Sequence, residues 1–205
     1  MIKAVVFDIG NVLLRWSPER MYDARIGAAR RVALMQAVPL SAMNLEVDRG
    51  APFRSSVFAL ADQYPEWRDE IVMWHDHWLE MAYADIPRSV RLMSALQAKG
   101  TPVFSLTNFG TDTYDLAAEH YPFMRQFDRD FISGHMGQIK PDPAIYAAVE
   151  DATGLPGPQL IFADDSARNI EAAAARGWQT HLFVGPDGWA ERLVAEGLLT
   201  PQEAA

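Results

Sequence analysis

Short apolar runs recur along the chain, and most of them show no alternation with polar residues. Runs of this kind are typical of strands that are buried on both faces of a parallel sheet. The predicted strands are Lys3–Asp8, Pro102–Thr107, Phe131–Ser133, Leu160–Asp164 and Thr180–Val184. Helical stretches separate them, and the predicted core helices are Pro87–Ala98, Pro143–Ala152 and Ala167–Ala175. The pattern therefore predicts an α/β fold with a parallel sheet.

The stretch between residues 15 and 85 breaks this alternation. It is longer than a strand–helix–strand crossover needs, and it is rich in Ala, Met, Arg, Leu and Trp. Helices are predicted to begin near Pro18, Pro39, Ala51 and Glu66. Two interpretations are open, a small inserted helical domain or a larger helical layer of the main domain. We favour the inserted domain because the stretch begins directly after the loop that follows the first strand.

Polar residues follow three of the predicted strands at the point where each strand ends. They are Asp8, the pair Thr107-Asn108 and the pair Asp164-Asp165, and Lys140 stands before a helix that begins at a proline. Since the carboxyl ends of parallel strands meet at one edge of a sheet, we expect these groups to lie together. Carboxylates bind hard cations through oxygen, and hydroxyl, amide and ammonium groups stabilise phosphoryl oxygens. The set predicts a site for a phosphate group and a divalent metal.

Four short motifs, in order along the chain, resemble those of a known family. They are Phe7-Asp8-Ile9-Gly10-Asn11-Val12, Leu106-Thr107-Asn108, Lys140-Pro141-Asp142 and Asp164-Asp165-Ser166-Ala167-Arg168-Asn169. The set resembles the haloacid dehalogenase-like (HAD) hydrolases, most of which are magnesium-dependent phosphatases. The resemblance implies a Rossmann-like parallel-sheet core over residues 1–15 and 86–205. It also implies a small α-helical cap domain over residues 16–85, inserted after the first strand and closing over the site.

The resemblance also implies a role for each strand-end residue. Asp8 is the expected nucleophile, which takes the phosphoryl group of a small phosphorylated substrate. Water is then expected to hydrolyse the aspartyl-phosphate. The expected Mg²⁺ ligands are Asp8, the carbonyl of Gly10 and Asp165, with Asp164 beside them. The expected phosphate-binding residues are Thr107, Asn108 and Lys140, and Lys140 also balances the charge on Asp8.

Gly10 departs from the pattern of most phosphatases in this family. They carry a second aspartate two residues after the nucleophile, and it serves as the general acid and base. Such a group typically contributes ~10²–10⁴-fold in rate. A branch of the family has the same Asp-x-Gly-Asn-Val motif, so the glycine is compatible with an active enzyme. Asn11 cannot take over the role, because an amide does not titrate near neutral pH.

The inserted stretch holds the first places to look for another proton donor, namely Glu46, Asp48, His75 and His77. A solvated turn ending at Gly50 is the expected setting of Glu46, Asp48 and Arg49, and the alternative is that they approach the phosphate when the cap closes. Trp74, His75, His77 and Trp78 are expected to pack in the helical insert, and the alternative is that one of them selects the substrate. Arg15 and Trp16 are candidates to line the cleft or to form a hinge contact. Asp142 is expected to cap the helix that follows it, and Asn169 to brace the fourth motif.

Three other functions are weighed against a phosphatase. In a 2-haloacid dehalogenase Asp8 would attack carbon without a metal, but Asp164 and Asp165 would then repel a carboxylate substrate. A catalytically weak binding or regulatory protein is supported only by Gly10, and retention of Asp8 and Lys140 argues against it. A phosphomutase is the least favoured alternative, since it needs the proton-shuttling acid that position 10 lacks.

The composition of the chain excludes some classes of protein and leaves the predicted site chemistry unchanged. The chain has 205 residues, 49% of them hydrophobic, which is enough for one well-buried core and an insert. A net charge of −9 argues against nucleic acid and anionic membranes as partners. There is no cysteine, no signal-like apolar segment and no run long enough for a membrane span. We therefore expect a soluble cytoplasmic protein, and a homodimer is compatible with the sequence.

Overall fold

The computed structural model describes all 205 residues of the chain. The strands are β1 (Ala4–Phe7), β2 (Leu14–Trp16), β3 (Ala82–Asp85), β4 (Val103–Thr107), β5 (Arg129–Ile132), β6 (Leu160–Asp164) and β7 (Gln179–Leu182). The α-helices are α1 (Pro18–Ile26), α2 (Ala28–Ala37), α3 (Leu40–Asp48), α4 (Phe53–Gln63), α5 (Arg68–Asp76), α6 (Trp78–Met81), α7 (Pro87–Ala98), α8 (Thr111–His120), α9 (Ser133–Met136), α10 (Pro143–Thr153), α11 (Ala167–Ala175) and α12 (Pro186–Ala195).

Five parallel strands form the main sheet, in the order β5-β4-β1-β6-β7. The central strand β1 places Val5 opposite Val103 of β4 and Ile161 of β6. Every residue of β1, β4 and β6 is buried, which explains why these strands are almost continuously apolar in sequence. The predicted α/β fold class is confirmed, and each predicted strand overlaps an observed one.

Some elements have no counterpart in the prediction. The sequence analysis does not predict the helices α2, α6, α8, α9 and α12. Of these, α2 buries only Leu34, so it lacks a clear apolar stripe. The sequence analysis also does not predict the short strands β2 and β3, because they pair across a long sequence separation. Leu14 lies opposite Asp85, and Arg15 lies opposite Ala84. This antiparallel ribbon brings together the two ends of the helical insert, which we define as residues 17–81.

The helical insert packs tightly on the main sheet domain. One apolar cluster contains Val47 and Trp78 from the insert together with Phe109 and Tyr114 from the loop and helix after β4. The hydroxyl of Ser133 donates to the carbonyl of Asp48 at 2.6 Å, which joins the end of α3 to the end of β5. That the insert is a separate cap domain with boundaries at residues 16 and 85 stays a prediction.

Glycines permit the close approach between the insert and the main domain. A Cβ atom on Gly110 would lie 2.5 Å from Cγ1 of Val47, and one on Gly50 would lie 2.7 Å from the carbonyl oxygen of Gly134. A side chain at either position would push the end of α3 away from the sheet. None of the helices has the length and apolarity needed to cross a membrane.

Candidate active site

Asp8 lies one residue beyond β1, at the centre of the carboxyl edge of the sheet, and is 7% exposed. Its N–H extends the sheet by donating to the carbonyl of Ala163 at 2.9 Å. Its Oδ1 accepts from the N–H of Ile9 at 2.7 Å and lies 2.9 Å from Nζ of Lys140. No hydrogen bond within the chain engages Oδ2. One carboxylate oxygen is therefore held and the other is available to react.

The turn after Asp8 depends on Asn11, which has a positive φ of 54°. Asparagine tolerates this left-handed conformation better than most residues. Its Oδ1 accepts from the N–H of Trp16 at 3.0 Å, and its Nδ2 donates to Oδ2 of Asp165 at 3.2 Å. Asn11 thus connects the first motif to the fourth motif and to the start of the ribbon.

Lys140 is 3% exposed and uses all three of its ammonium donors within the chain. Nζ lies 2.9 Å from Oδ1 of Asp8 and 2.7 Å from Oδ2 of Asp164, and it donates to the carbonyl of Leu106 at 2.8 Å. Its positive charge therefore fixes two carboxylates at the sheet edge. That Lys140 also binds phosphate stays a prediction.

Asp164 is fully buried at the end of β6, and donors of the chain surround its carboxylate. Nδ2 of Asn169 lies 3.0 Å from both of its oxygens, and the N–H of Ser166 donates to Oδ1 at 2.7 Å. Asn169 therefore braces the fourth motif, as predicted.

Asp142 caps α10 by accepting from the N–H of Ala144 at 3.0 Å, also as predicted.

Three carboxylates converge at this edge, and only one ammonium group lies among them. Single carboxylate oxygens of Asp8, Asp164 and Asp165 all lie within 4.8 Å of one another. Burial raises the pKa of Asp8 to about 7, although the charge of Lys140 opposes the rise. Burial also raises the pKa of Asp165, against the hydrogen bond from Asn11. A bound cation would relieve the cost of ionising these groups.

Thr107 and Asn108 end β4 beside this cluster. Asn108 uses both ends of its side-chain amide on the backbone of Lys140: Nδ2 donates to the Lys140 carbonyl at 3.0 Å, and Oδ1 accepts from the Lys140 N–H at 2.8 Å. The side chain therefore positions Lys140, a role that the sequence analysis missed. No hydrogen bond within the chain engages the N–H of Asn108.

A cavity of about 100 Å³ opens between the sheet edge and the helical insert. Its lining comprises Gly10, Leu14, Trp16, Asn44, Asp48, Trp78, Ala82, Asn108, Phe109 and Thr113. Aromatic rings form much of the wall, and the ring of Trp78 lies 5.6 Å from that of Phe109. Trp16, a candidate to line the cleft, and Trp78, a candidate for substrate selection, both line the cavity, whereas Trp74 packs against Tyr22 inside the insert.

Gly10 lines the cavity and has room for a side chain. A Cβ atom added there would meet nothing within 4 Å, and its φ is not positive. Neither space nor backbone conformation therefore requires glycine at this position.

Asp48 lies at the end of α3 and faces the cavity, instead of occupying the solvated turn that was expected. Nδ2 of Asn44 donates to its Oδ2 at 3.1 Å. Burial raises the pKa of Asp48 to about 7, against the N–H of Gly110 and the charge of Lys140. Asp48 thus brings a largely desolvated carboxyl group to the wall of the cavity.

The other polar candidates of the insert lie outside the cavity. Glu46 pairs with Arg49 at 2.6 Å on the exposed side of α3. His75 stacks on Phe53 with ring centroids 5.3 Å apart, and His77 contacts Glu80 at 3.1 Å. Arg15 is exposed and does not line the cavity.

The sequence matches the family model of the haloacid dehalogenase-like hydrolases over residues 2–177. The chain belongs to this family. The match spans four of the five strands of the main sheet, the insert and all four motifs of this HAD hydrolase, so the family predicted from the sequence is confirmed.

Curated relatives of this HAD hydrolase include a phosphatase and a cyclase. It is 27% identical to the sesquiterpene phosphatase astK of Aspergillus oryzae over 177 residues, covering 85% of this chain and 86% of the relative. It is 24% identical to the drimenol cyclase drtB of Aspergillus calidoustus over 190 residues, covering 89% of this chain. The matched region is only 34% of that cyclase, so the chain corresponds to about a third of it.

Solved structures share the fold of this HAD hydrolase. The HAD family enzyme BT-2542 of Bacteroides thetaiotaomicron, in complex with magnesium and inorganic phosphate, aligns with a TM-score of 0.67 at 21% identity, covering 88% of this chain and 93% of that one. The L-2-haloacid dehalogenase of Xanthobacter autotrophicus, with chloropropionic acid covalently bound, aligns with a TM-score of 0.63 at 19% identity, covering 99% and 86%. At these identities the likeness establishes the fold.

Proposed function

We propose that this HAD hydrolase is a magnesium-dependent phosphatase that acts on a small phosphomonoester. The observation that carries the proposal is the carboxylate of Asp8, with Oδ1 held by Lys140 and Oδ2 available beside two further aspartates. A nucleophile needs a free oxygen, and a phosphoryl group needs nearby positive charge. The relative named as a sesquiterpene phosphatase supports this class of reaction.

The donor set fits Mg²⁺, which prefers oxygen ligands. Asp8, Asp165 and the carbonyl of Gly10 would hold the ion. Asp164 has its oxygens engaged by Lys140, Asn169 and Ser166, so we assign it a supporting role beside the ion. When bound, Mg²⁺ neutralises charge on the phosphoryl oxygens.

In the proposed reaction Oδ2 of Asp8 attacks phosphorus, and the bond to the leaving-group oxygen breaks. Lys140 and the N–H of Ile9 keep the attacking carboxylate in place. Water then attacks the aspartyl-phosphate, which releases phosphate and restores Asp8. Positioning and electrostatic stabilisation supply most of the rate enhancement in phosphoryl transfer.

We assign phosphate binding to donor groups at the carboxyl edge of the sheet that have no hydrogen-bond partner within the chain. The N–H groups of Gly10 and Asn108 make no hydrogen bond within the chain, and both residues line the cavity. The hydroxyl of Thr107 would add a donor beside them. Lys140 would act through its charge, since its three donors are already engaged.

A 2-haloacid dehalogenase is the second candidate, because a dehalogenase shares the fold. Asp8 would then attack carbon and displace a halide without a metal. The cluster of Asp164 and Asp165 beside Asp8 argues against it, because these carboxylates would repel the carboxylate of a haloacid. The proposed phosphatase needs that negative charge for its metal.

A panel of phosphomonoesters and 2-haloacids, assayed with Mg²⁺ or with EDTA, tests the proposal. We expect inorganic phosphate release that requires Mg²⁺ and is lost in Asp8→Asn. Asp151→Asn, which removes an exposed carboxylate on α10, is the matched control and should keep full activity. Halide release in EDTA would instead identify a dehalogenase. Release of neither product would favour a binding role.

A further inference from the structure

Asp48 is the only titratable residue that lines the cavity. The remaining lining is apolar or carries groups that neither gain nor lose a proton near neutral pH, such as the amides of Asn44 and Asn108. Position 10, on the opposite wall, is glycine and cannot transfer a proton. Gly10 and Asp48 line the same cavity, so a group bound there would have the carboxyl of Asp48 among its neighbours.

We propose that Asp48, supplied by the helical insert, is the general acid and base of the reaction. The inference rests on the proposed phosphatase function. In the first step the carboxyl of Asp48 gives its proton to the leaving-group oxygen while Asp8 bonds to phosphorus, which yields the alcohol, the aspartyl-phosphate and the Asp48 carboxylate. In the second step that carboxylate takes a proton from the attacking water, so phosphate leaves and both aspartates return to their starting forms.

The backbone at Asp48 is held firmly enough for such a role. Its carbonyl accepts from the hydroxyl of Ser133 at 2.6 Å, which ties it to the main domain. The same hydroxyl accepts from the N–H of Phe109 at 2.8 Å, in the loop that carries the phosphate-binding motif. Asp48 is therefore positioned by the loop after β4, although it comes from the insert.

A neighbouring residue also orients the side chain of Asp48, and burial raises its pKa. Asn44 donates to Oδ2 at 3.1 Å and limits its rotation. The pKa of about 7 suits a group that must both give and take a proton at neutral pH. None of Glu46, His75 and His77 lines the cavity, so no other titratable residue of the insert competes for the role.

The test compares Asp48→Asn with Glu46→Gln on an alkyl phosphate and on p-nitrophenyl phosphate, both with Mg²⁺. An alkoxide leaves poorly without a proton, so kcat/KM for the alkyl phosphate should fall by ~10²–10⁴-fold in Asp48→Asn. A nitrophenolate leaves without help, so its kcat/KM should change by less than about threefold. Glu46→Gln, which removes an exposed carboxylate of the same helix, should change both esters by less than about twofold.

The second step gives an independent readout. Without a base for the attacking water, Asp48→Asn should accumulate aspartyl-phosphate from p-nitrophenyl phosphate. We expect a burst of about one nitrophenolate per active site and then a lower kcat. Gly10→Asp, at a position with room for a side chain, should raise the activity of Asp48→Asn on the alkyl phosphate at least about tenfold.

Equal losses on the two esters, or no loss on either, would overturn the role of Asp48 and leave the phosphatase intact. Absence of phosphate release by the wild-type enzyme from both esters would overturn the phosphatase function and, with it, the role of Asp48. Activity on the aryl ester also shows that the variant is folded, so a low rate on the alkyl ester alone cannot come from misfolding.

Discussion

The two walls of the cavity are built in different ways. The sheet wall contains Gly10 and Asn108, and it adjoins the carboxylate cluster, in which Nζ of Lys140 lies 2.9 Å from Asp8 and 2.7 Å from Asp164. The insert wall takes Asp48 and Trp78 from α3 and α6 of the insert and Trp16 from the adjoining strand β2, and its one polar pair is Asn44 with Asp48. The first wall is fixed by local motifs and charge, the second by packing between distant segments.

This difference suggests that the two walls have different roles in the reaction. Charged groups that stay in place are suited to bind a metal and to hold the nucleophile. A wall of aromatic rings with a single carboxyl is suited to enclose a leaving group and to exchange one proton with it. Substitutions that damage one wall and spare the other can separate these contributions.

The largest effect is expected from Asp8→Asn on the sheet wall. Loss of the nucleophile should lower kcat by at least about 10⁴-fold. The fold should persist, because the amide oxygen can still accept from the N–H of Ile9 and from Lys140. Phosphate release and thermal unfolding, measured beside Asp151→Asn, check both statements. Near wild-type turnover in Asp8→Asn would show that another residue attacks phosphorus.

The neighbouring aspartates Asp164 and Asp165 should behave differently. Asp164→Asn breaks a buried pair with Lys140 and should cost about 3–5 kcal/mol of unfolding free energy. Asp165 is the most exposed of the three carboxylates, so Asp165→Asn should change stability less than Asp164→Asn but raise the Mg²⁺ concentration needed for activity. Denaturant unfolding and Mg²⁺ titration of both variants provide the data. A greater loss of stability in Asp165→Asn would reverse the assignment of buried partner and metal ligand.

The sheet wall could be predicted from the sequence because its signals are local. An apolar run followed by an aspartate marks both a buried strand and the residue at its end, and Asp8, Thr107 and Asp164 were found in this way. The structural role of the Asn108 side chain was missed, because its hydrogen bonds to Lys140 join residues 32 positions apart.

The insert wall could not be predicted in the same detail. Asp48 looked like part of a solvated turn, since Glu46, Arg49 and Gly50 around it are polar or small. Its burial depends on Gly110 and Gly134, which lie far away in sequence and let the end of α3 approach the sheet. Helical periodicity shows that α3 exists but not which of its residues faces another segment.

A substitution at Gly50 tests whether close packing positions the insert wall. Gly50→Ala adds a Cβ 2.7 Å from the carbonyl oxygen of Gly134, whereas Gly27→Ala meets nothing within 4 Å. Both glycines have positive φ, 76° at Gly27 and 106° at Gly50, so an alanine is strained at either position. We expect Gly50→Ala to be about 1–3 kcal/mol less stable than Gly27→Ala. It should also lose more activity on alkyl than on aryl phosphates, and equal stability of the two variants would contradict the packing argument.

The smallest effect concerns the pH dependence of stability at the insert wall. Burial raises the pKa of Asp48 from 3.8 to about 7, although Lys140 and the N–H of Gly110 oppose the rise. Between these pH values the folded protein holds a proton that the unfolded chain has lost, so this group's stabilising contribution falls as pH rises from about 4 to about 7. Asp48→Asn removes that decline, so its Tm relative to wild type should rise from pH 4 to pH 8. Glu46→Gln is the control for loss of an exposed carboxylate, and a constant difference for Asp48→Asn would show that Asp48 ionises alike in both states.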